Sequence, residues 1–428
     1  MLKTLLSVTA NQLARASGFI QRQGQLTGSA FAQTLVFEWM RDPKATVETL
    51  AAKLDLSQQG LDARFTPQAV EFLKQLLQAA LQAALKANRA ARRISQGLLD
   101  RFDSVIVEDS TSIKLPSELI QLFPGTDGTT KTAAVKINLR WNLRTGDILS
   151  LTAHAGKTSD SKLAGDPASL PEKCLYLADL GFFKLEHRRQ FDTGQYWVSR
   201  VASGTKIQVA DEWLNWPVWL QKERRDLIDV QTNLGQTDPL KVRVVARRCP
   251  PEIAQLRRRR LRARMKKACR GQASRLQLSA CDWQLWVTNI PEQLWSASEV
   301  DVVYRCRWQI ELFFKRAKSL GNWQIDVKNR ADRVLVELWS KVLAVVVKHW
   351  CALLRGGPLS GVSLWKLMQV VQEFAKQLRQ AIPSKKRLVR LLEELKEELE
   401  RVPKQRPSKD KTLTWKTLLT PADSNNNR

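Results

Sequence analysis

Residues 304–318 read Y-R-C-R-W-Q-I-E-L-F-F-K-R-A-K. At about 100° per residue on a helix, Tyr304, Arg307, Glu311 and Lys318 fall within roughly 60° of one another. Apolar side chains, including two adjacent phenylalanines, cover the opposite side. The stretch therefore predicts a helix that packs on a core and presents one polar edge. A solvated surface with an Arg307–Glu311 pair is the alternative, and such a pair contributes only a few tenths of a kcal/mol.

The overall charge of the chain indicates an anionic partner. Its 428 residues suffice for two or three domains, and 69 Lys and Arg against 42 Asp and Glu give a formal net charge of +27. Such a field favours a polyanion such as nucleic acid. A membrane surface is the competing polyanion, but no apolar run approaches the roughly 20 residues that span a bilayer. The N-terminus shows no secretory signal, so we expect a cytoplasmic protein.

Cysteine and histidine usage excludes several kinds of site. The six cysteines are scattered without C-x-x-C spacing, as expected for reduced, buried thiols. The three histidines do not pair at ligand spacing. A zinc site, a disulfide framework and a histidine-based catalytic triad are therefore not expected.

The N-terminal hundred residues are rich in Ala, Leu and Gln and predict a helical region. Within it, residues 46–65 predict two short helices separated by a turn, with Ser57 as the N-cap of the second helix. This is a helix-turn-helix pattern. The second helix would present Gln58 and Gln59 to adenine edges and Arg64 to guanine or phosphate. An ordinary helical hairpin is the alternative.

Two short apolar runs each lead into an aspartate. The run S-V-I-V at 104–107 is followed by Glu108 and Asp109, and C-L-Y-L-A at 174–178 is followed by Asp179. Both runs predict buried strands that deliver a carboxylate at their carboxyl ends.

Asp109, Asp179 and Glu311 together would form a site of hard oxygen ligands. Such a set prefers Mg²⁺, with Mn²⁺ as a substitute, over zinc. Two ions about 4 Å apart would activate a water or a 3′-hydroxyl and stabilise the leaving oxygen in phosphodiester exchange. Arg307 and Lys318 would hold the flanking phosphates, and the tyrosine of the same helix edge would bond one through its hydroxyl.

Residues 191–282 predict a β-rich insertion, because short alternating segments are separated by polar turns. Within it, the basic run 257–270 carries apolar residues at helical spacing and predicts a helix that lies along a phosphate backbone. A solvated or disordered block is the alternative. The arginines predicted to contact DNA are Arg257, Arg258, Arg259 and Arg260.

Three motifs carry a resemblance to a known family. D-S-T at Asp109, A-D-L-G-F-F around Asp179 and Y-x-x-R-x-x-x-E-x-x-x-x-x-x-K within 304–318 resemble the bacterial DDE transposases of the insertion sequence four family. The likeness spans roughly residues 40–350. It implies an α/β fold with an RNase H-like catalytic core, a β-rich insertion and flanking helical regions. It also implies that the two aspartates and Glu311 are catalytic metal ligands.

The same resemblance implies cut-and-paste transposition on double-stranded DNA, at terminal inverted repeats and target, by a protein that is a homodimer in the DNA complex and is associated with the nucleoid. The predicted segments are a helical DNA-binding region (1–100), the first part of the core (101–190), the insertion (191–282), the second part of the core (283–330) and a C-terminal helical region with a polar tail (331–428).

Trp283 and Trp286 lie in the predicted strand that precedes residue 304. Relatives that cut through a hairpin intermediate extrude a base, which needs an aromatic surface for stacking. Residues three apart in a strand point to opposite faces, so at most one tryptophan would meet DNA. We assign this role to Trp286, which shares a face with Thr288, because the resemblance places the stacking aromatic there. Burial of both in the core is the alternative.

Two other functions stay open at this point. The charge and the helix-turn-helix would also suit a non-catalytic DNA-binding protein or inhibitor derived from a transposase. A metal-dependent nuclease that cleaves DNA without joining it is a weaker alternative. The three carboxylates favour the active transposase, because a protein that only binds DNA does not need them.

Overall fold

The computed structural model describes residues 1–22, 24–88, 97–126, 132–267, 271–321, 323, 330–355 and 362–403. Over these residues the fold is α/β with helical regions at both ends, as predicted. None of the helices in this part of the chain has the length and apolar character needed to cross a bilayer. The predicted polar tail and the carboxyl end of the basic run lie outside the described residues.

The helices of the first half of the chain are α1 (Leu2–Thr4), α2 (Ala10–Ala16), α3 (Gly28–Arg41), α4 (Val47–Ala52), α5 (Gln58–Asp62), α6 (Pro67–Asn88), α7 (Leu185–Arg189) and α8 (Trp216–Gln221). Those of the second half are α9 (Pro251–Lys267), α10 (Arg275–Ser279), α11 (Ala297–Tyr304), α12 (Trp308–Gly321), α13 (Ala331–Leu353), α14 (Leu364–Glu373), α15 (Ala375–Ala381) and α16 (Lys385–Arg401). A π-helical turn, Leu5–Thr9, joins α1 to α2.

The strands are β1 (Ser104–Leu115), β2 (Ala133–Asn142), β3 (Ile148–Ala155), β4 (Cys174–Ala178), β5 (Tyr196–Ser199), β6 (Lys206–Val209), β7 (Glu212–Asn215), β8 (Leu227–Leu234), β9 (Leu240–Arg248) and β10 (Trp283–Thr288). Strands β2 and β3 form an antiparallel hairpin. Its turn requires glycine at 146, where φ is +78°.

The chain divides into two units, and β1 contributes its first half to one and its second half to the other. The first unit comprises the described residues within Met1–Ser95, Ser110–Thr158 and Gln309–Thr412. Its helix α13 is buried along almost its whole length and packs against α3, α6 and α14. The N-terminal and C-terminal helical regions, which the sequence placed in separate segments, therefore share one core.

The two short helices predicted within residues 46–65 are α4 and α5 of this unit. Ser57 caps α5 as expected, because its Oγ accepts a hydrogen bond from the amide of Gly60 at 3.0 Å. Asp55 in the turn has a φ of 54°, a left-handed conformation that aspartate tolerates. The second helix is shorter than predicted, since it ends at Asp62 and leaves Arg64 in the following turn.

A buried lysine in α13 makes a testable contribution to stability. Lys348 is 2% exposed, and its Nζ donates to Gln372 Oε1 at 3.2 Å. Burial lowers the pKa of Lys348 from 10.5 to about 8. The unfolded chain therefore binds more protons than the folded chain between these two pKa values, so stability rises with pH across this window. Below it the full penalty applies, which is about 3 kcal/mol.

We expect Lys348→Met to raise the free energy of unfolding at neutral pH by about 1 to 3 kcal/mol, because it removes this penalty and the lost hydrogen bond offsets part of the gain. The gain should shrink as the pH rises from about 8 towards 10.5. Denaturant titrations over this range, with exposed Lys366→Met as the control, measure both effects. A gain that does not depend on pH would show that the charge of Lys348 is not its source.

The second unit comprises the described residues within Gln96–Asp109 and Ser159–Trp308. Its strands are ordered β1-β4-β5-β10-β9-β8-β6-β7. The first three are parallel and the others pair in antiparallel fashion. Strand β5, which lies within the predicted insertion 191–282, is thus the third strand of the parallel group, beside β4.

Two further predictions need correction. The strand predicted at 104–107 continues to Leu115, because Ile113 and Leu115 alternate with exposed Ser112 and Lys114. The single helix predicted over 304–318 is interrupted: α11 ends at Tyr304, a 3₁₀ turn follows, and α12 starts at Trp308. Helical periodicity alone does not reveal such a tightened turn.

Candidate active site

Asp109 and Asp179 lie side by side at the end of the parallel group. Strands β1 and β4 pair in register up to Glu108, which is opposite Ala178. The next residue on each strand is an aspartate, so the two are opposite each other and point to the same face of the sheet. Two adjacent carboxylates repel each other unless a proton or a cation offsets their charge.

Arg307 supplies positive charge to both aspartates. Its Nη1 lies 3.6 Å from Asp109 Oδ2, and its Nη2 lies 3.9 Å from Asp179 Oδ1. These separations exceed the roughly 2.7 to 2.9 Å of a tight charge-assisted hydrogen bond. Arg307 therefore lies near both carboxylates at distances longer than those of a tight hydrogen bond. The Asp179 side chain is 50% exposed and that of Asp109 only 16%, so the pair is accessible from the Asp179 side.

Tyr304 is more buried than its predicted role suggests. The residue is 6% exposed, and its hydroxyl donates to the carbonyl of Ala178 at 3.3 Å. Burial raises the pKa of this hydroxyl, so it stays a neutral donor. The hydroxyl thus supports the backbone that precedes Asp179. Tyr304 also lines the cavity beside Asp179, and its predicted phosphate contact stays a prediction.

The remaining two residues of the 304–318 motif belong to α12. Glu311 lies in its first turn and is half-buried. Lys318 lies two turns further along the helix, and its Nζ donates to the carbonyl of Ser112 on β1 at 2.8 Å. Burial lowers the pKa of Lys318. Its ammonium group thus already has a protein acceptor, and its predicted phosphate contact stays a prediction.

A cavity of about 360 Å³ opens beside Asp179. Its wall contains three residues that were not predicted as site residues, Arg200, Arg305 and Trp308. Leu177 pairs with Val198 in parallel register, so Arg200 follows β5 at the level at which Asp179 follows β4. Trp308 is 51% exposed. A third apolar run that ends in a charged residue was the available signal for Arg200.

The arginines of α9 divide into two groups. Arg257 donates to Cys249 Sγ at 2.8 Å and to the carbonyl of Trp283 at 2.7 Å, and Arg258 forms an ion pair with Asp282. These two arginines, which were predicted to contact DNA, are therefore bound to other residues of the protein. The exposed arginines of the same helix are Arg259, Arg260, Arg262 and Arg264.

A second cavity of about 470 Å³ lies under α9. Arg260 and Arg264 line it together with Arg200, Trp283 and Leu285. Arg200 also lines the cavity beside Asp179, so the two cavities have this arginine in common.

Trp286 is buried rather than exposed to DNA. It is 1% exposed in β10, and Thr288 on the same face is fully buried, with its hydroxyl donating to the carbonyl of Trp197. The physical reason is that β10 lies between β5 and β9 in a part of the sheet where the residues on both faces of the strand are buried or half-buried. The core alternative therefore describes Trp286 better than the predicted stacking role.

The predicted readers of base edges lie on the surface of the first unit. Gln58, Gln59 and Arg64 are all exposed. Asp62, on the same helix, is engaged by Arg330, whose Nη1 donates to Asp62 Oδ2 at 2.9 Å. The two glutamines therefore form the exposed face of α5. That they contact DNA stays a prediction.

Residues 100–347, more than half of the chain, match the family described as "Transposase DDE domain". The chain belongs to the DDE transposase family. This assignment confirms the resemblance predicted from the three motifs and, with it, an RNase H-like core.

Several insertion-sequence proteins are similar to this DDE transposase. The transposase for insertion sequence element IS1151 of Clostridium perfringens is 26% identical over 367 residues, which cover 79% of this chain and 76% of the relative. That for IS231F of Bacillus thuringiensis subsp. israelensis is 26% identical over 419 residues, 90% of this chain and 86% of the relative. The putative transposase InsL for IS186A of Escherichia coli K12 is 36% identical over 101 residues, 24% of this chain and 26% of the relative.

The DDE domain implies dependence on a divalent metal. Among the described residues no three His, Cys, Asp or Glu side chains gather closely enough to hold an ion by themselves. The adjacent carboxylates of Asp109 and Asp179 nevertheless fit Mg²⁺, which proteins bind through one or two carboxylates, with waters and substrate phosphates as the other ligands. A site that already attracts the guanidinium of Arg307 is one that favours a cation.

Proposed function

We propose that this DDE transposase catalyses cut-and-paste DNA transposition, by two-metal phosphodiester cleavage and strand transfer at transposon inverted-repeat ends. The proposed metal ligands and catalytic residues are Asp109, Asp179 and Glu311, and the proposed cofactor is Mg²⁺, with Mn²⁺ as a substitute. The observation that carries the proposal is the placement of the two aspartates opposite each other on parallel strands, with Arg307 near both. Glu311 is included because of its spacing within the motif.

The residues around the aspartates have distinct roles in this proposal. Arg307 keeps the two carboxylates adjacent, because its positive charge offsets their mutual repulsion. Arg200 and Arg307 place two positive charges on the wall of the cavity beside Asp179, where they would neutralise a phosphate. When bound, Mg²⁺ would activate the attacking oxygen and stabilise the leaving oxygen.

DNA recognition is assigned to two surfaces. The exposed arginines of α9 would follow the phosphate backbone, and Gln58, Gln59 and Arg64 would read sequence in the terminal repeats. Double-stranded DNA, as transposon ends and as target, is the proposed partner. We propose a homodimer in the DNA complex, associated with the nucleoid.

The test is a reaction between purified protein and a duplex that carries the inverted repeat flanking the reading frame. We expect cleavage at the transposon end that needs Mg²⁺ or Mn²⁺ and leaves a 3′-hydroxyl. That end should then join to a supercoiled plasmid. Cleavage without joining would favour a nuclease, and tight binding without cleavage would favour a non-catalytic DNA-binding derivative.

The exposed ring of Trp308 is proposed to replace Trp286 as the stacking surface, because it is the tryptophan that faces the cavity beside Asp179 from solvent. If cleavage goes through a hairpin, Trp308→Ala should slow hairpin formation by about 5- to 100-fold, since base stacking contributes about 1 to 3 kcal/mol. First-strand nicking should stay near the wild-type rate.

Trp308→Phe serves as the matched control, since it keeps an aromatic face and should retain most of the hairpin rate. Single-turnover assays on a labelled end duplex separate the two steps. An equal loss of nicking and hairpin formation in Trp308→Ala would remove the stacking role.

A further inference from the structure

Arg188 of α7 is a buried arginine in an aromatic cage. It is 2% exposed, and burial lowers the pKa of its guanidinium. The guanidinium carbon lies 5.0 to 5.6 Å from the centroids of four rings. The rings attract the cation electrostatically and so offset part of the loss of water. They belong to Tyr176, Phe183, Phe191 and Trp197.

A chain of hydrogen bonds connects this arginine to β1. Arg188 Nη1 donates to His187 Nδ1 at 2.7 Å, and a guanidinium has only donors, so His187 is neutral with its proton on Nε2. His187 Nε2 donates to the carbonyl of Gly165 at 2.8 Å. The amide of Gly165 donates to Glu108 Oε2 at 3.2 Å, and the hydroxyl of Tyr176 donates to the same oxygen at 2.6 Å.

This buried network lies on the reverse face of the strands that carry the catalytic aspartates. Glu108 is opposite Ala178, and Tyr176 is two residues before Ala178, so Glu108 and Tyr176 share a face. Asp109 and Asp179 each follow by one residue and therefore point to the other face. The network thus fixes both strands at the last paired residues before the two carboxylates.

We propose that Arg188 and Glu108 are positioning residues for the metal-binding carboxylates. Glu108 accepts a hydrogen bond from the Tyr176 hydroxyl, and Arg188 packs on the Tyr176 ring. Together they fix the register and twist of β1 relative to β4, and so the separation of Asp109 from Asp179. The inference rests on the proposed function, because it assigns a metal to that pair. Residues that orient metal ligands from behind typically change metal affinity or activity by about 10- to 100-fold when replaced.

A purely structural role predicts a different outcome. Arg188 and Glu108 carry opposite charges that interact within this buried network. Replacing two such buried charges together by uncharged residues of similar size often leaves stability unchanged or raised, whereas removal of one of them is strongly destabilising. Arg188→Met and Glu108→Gln should therefore each lower the melting temperature, and the double variant should recover it. If the network positions the carboxylates, this stable double variant will still be defective in metal binding.

Mn²⁺ is titrated into the full chain without DNA, and its binding is measured by calorimetry. Cleavage of the end duplex is measured in parallel. Loss of the Mn²⁺ signal in Asp179→Asn assigns the signal to the site. We expect the double variant to melt near the wild-type temperature, bind Mn²⁺ about 10- to 100-fold more weakly and need correspondingly more metal for cleavage.

Arg243 offers a matched control in the same unit. It is 1% exposed, forms an ion pair with Asp229 and donates to the carbonyl of Trp295 at 2.6 Å, away from the aspartates. Arg243→Met combined with Asp229→Asn should leave Mn²⁺ affinity unchanged. Wild-type Mn²⁺ affinity in the Arg188/Glu108 double variant would overturn the inference alone. A wild-type chain that binds no Mn²⁺ through Asp179 would overturn the proposed function and this inference together.

Discussion

Asp109→Asn and Asp179→Asn are each expected to reduce cleavage of the end duplex by at least about a thousandfold. A metal supplies several kcal/mol of charge stabilisation in the transition state, and each 1.36 kcal/mol corresponds to a tenfold change in rate. Asparagine keeps the size of the side chain but removes the charge that attracts the cation. Single-turnover cleavage, measured at saturating protein, reports the chemical step without a contribution from DNA affinity.

DNA affinity should stay within about threefold of wild type in these variants, because the DNA contacts are assigned to other residues. Exposed Asp211→Asn, a carboxylate in the second unit outside the β1–β4 strand end, serves as the control and should cleave normally. Cleavage at the wild-type rate in either Asp109→Asn or Asp179→Asn would remove that residue from the mechanism.

Replacement of the four exposed arginines of α9 by alanine should produce the largest change in DNA binding. Each lost phosphate contact is expected to reduce the slope of log K against log salt by about 0.9, so the slope should become shallower by up to about 3.6. Affinity near physiological salt should fall by more than about tenfold for specific and nonspecific duplexes alike. Fluorescence anisotropy over a series of salt concentrations measures both quantities.

The same helix provides the control for this prediction. Arg257 and Arg258 are bound to Cys249, to the carbonyl of Trp283 and to Asp282. Their replacement by alanine should lower the melting temperature and change the salt slope little. An unchanged slope in the four-arginine variant, or an equal change in both variants, would show that α9 does not follow the backbone as proposed.

The aspartates were predictable because each follows a short apolar run, and local burial is visible in sequence. Their adjacency depends on the parallel pairing of β1 with β4, two strands far apart in the chain. The same nonlocal pairing hid β5, which was predicted as part of the insertion, and therefore hid Arg200. Parallel pairing leaves no turn signature that sequence reasoning could use.

The directions in which side chains point were the second feature that could not be predicted from the sequence. Trp286 was predicted to face DNA, but β10 lies inside the sheet. There, strand alternation does not distinguish a solvent-exposed face from a buried one. The sequence also did not predict that the hydroxyl of Tyr304, just before a tightened turn, donates to the carbonyl of Ala178. The arginines of α9 look alike in sequence, and Asp282, more than twenty residues away in the chain, helps to decide which of them face solvent.

Asp109 and Asp179 together are proposed to hold the catalytic metal. This role is tested most directly by anomalous diffraction from Mn²⁺ in crystals of the protein bound to its terminal-repeat duplex. We expect an anomalous peak within about 2.6 Å of a carboxylate oxygen of each aspartate. A peak that contacts neither aspartate, at a Mn²⁺ concentration that supports cleavage, would contradict it.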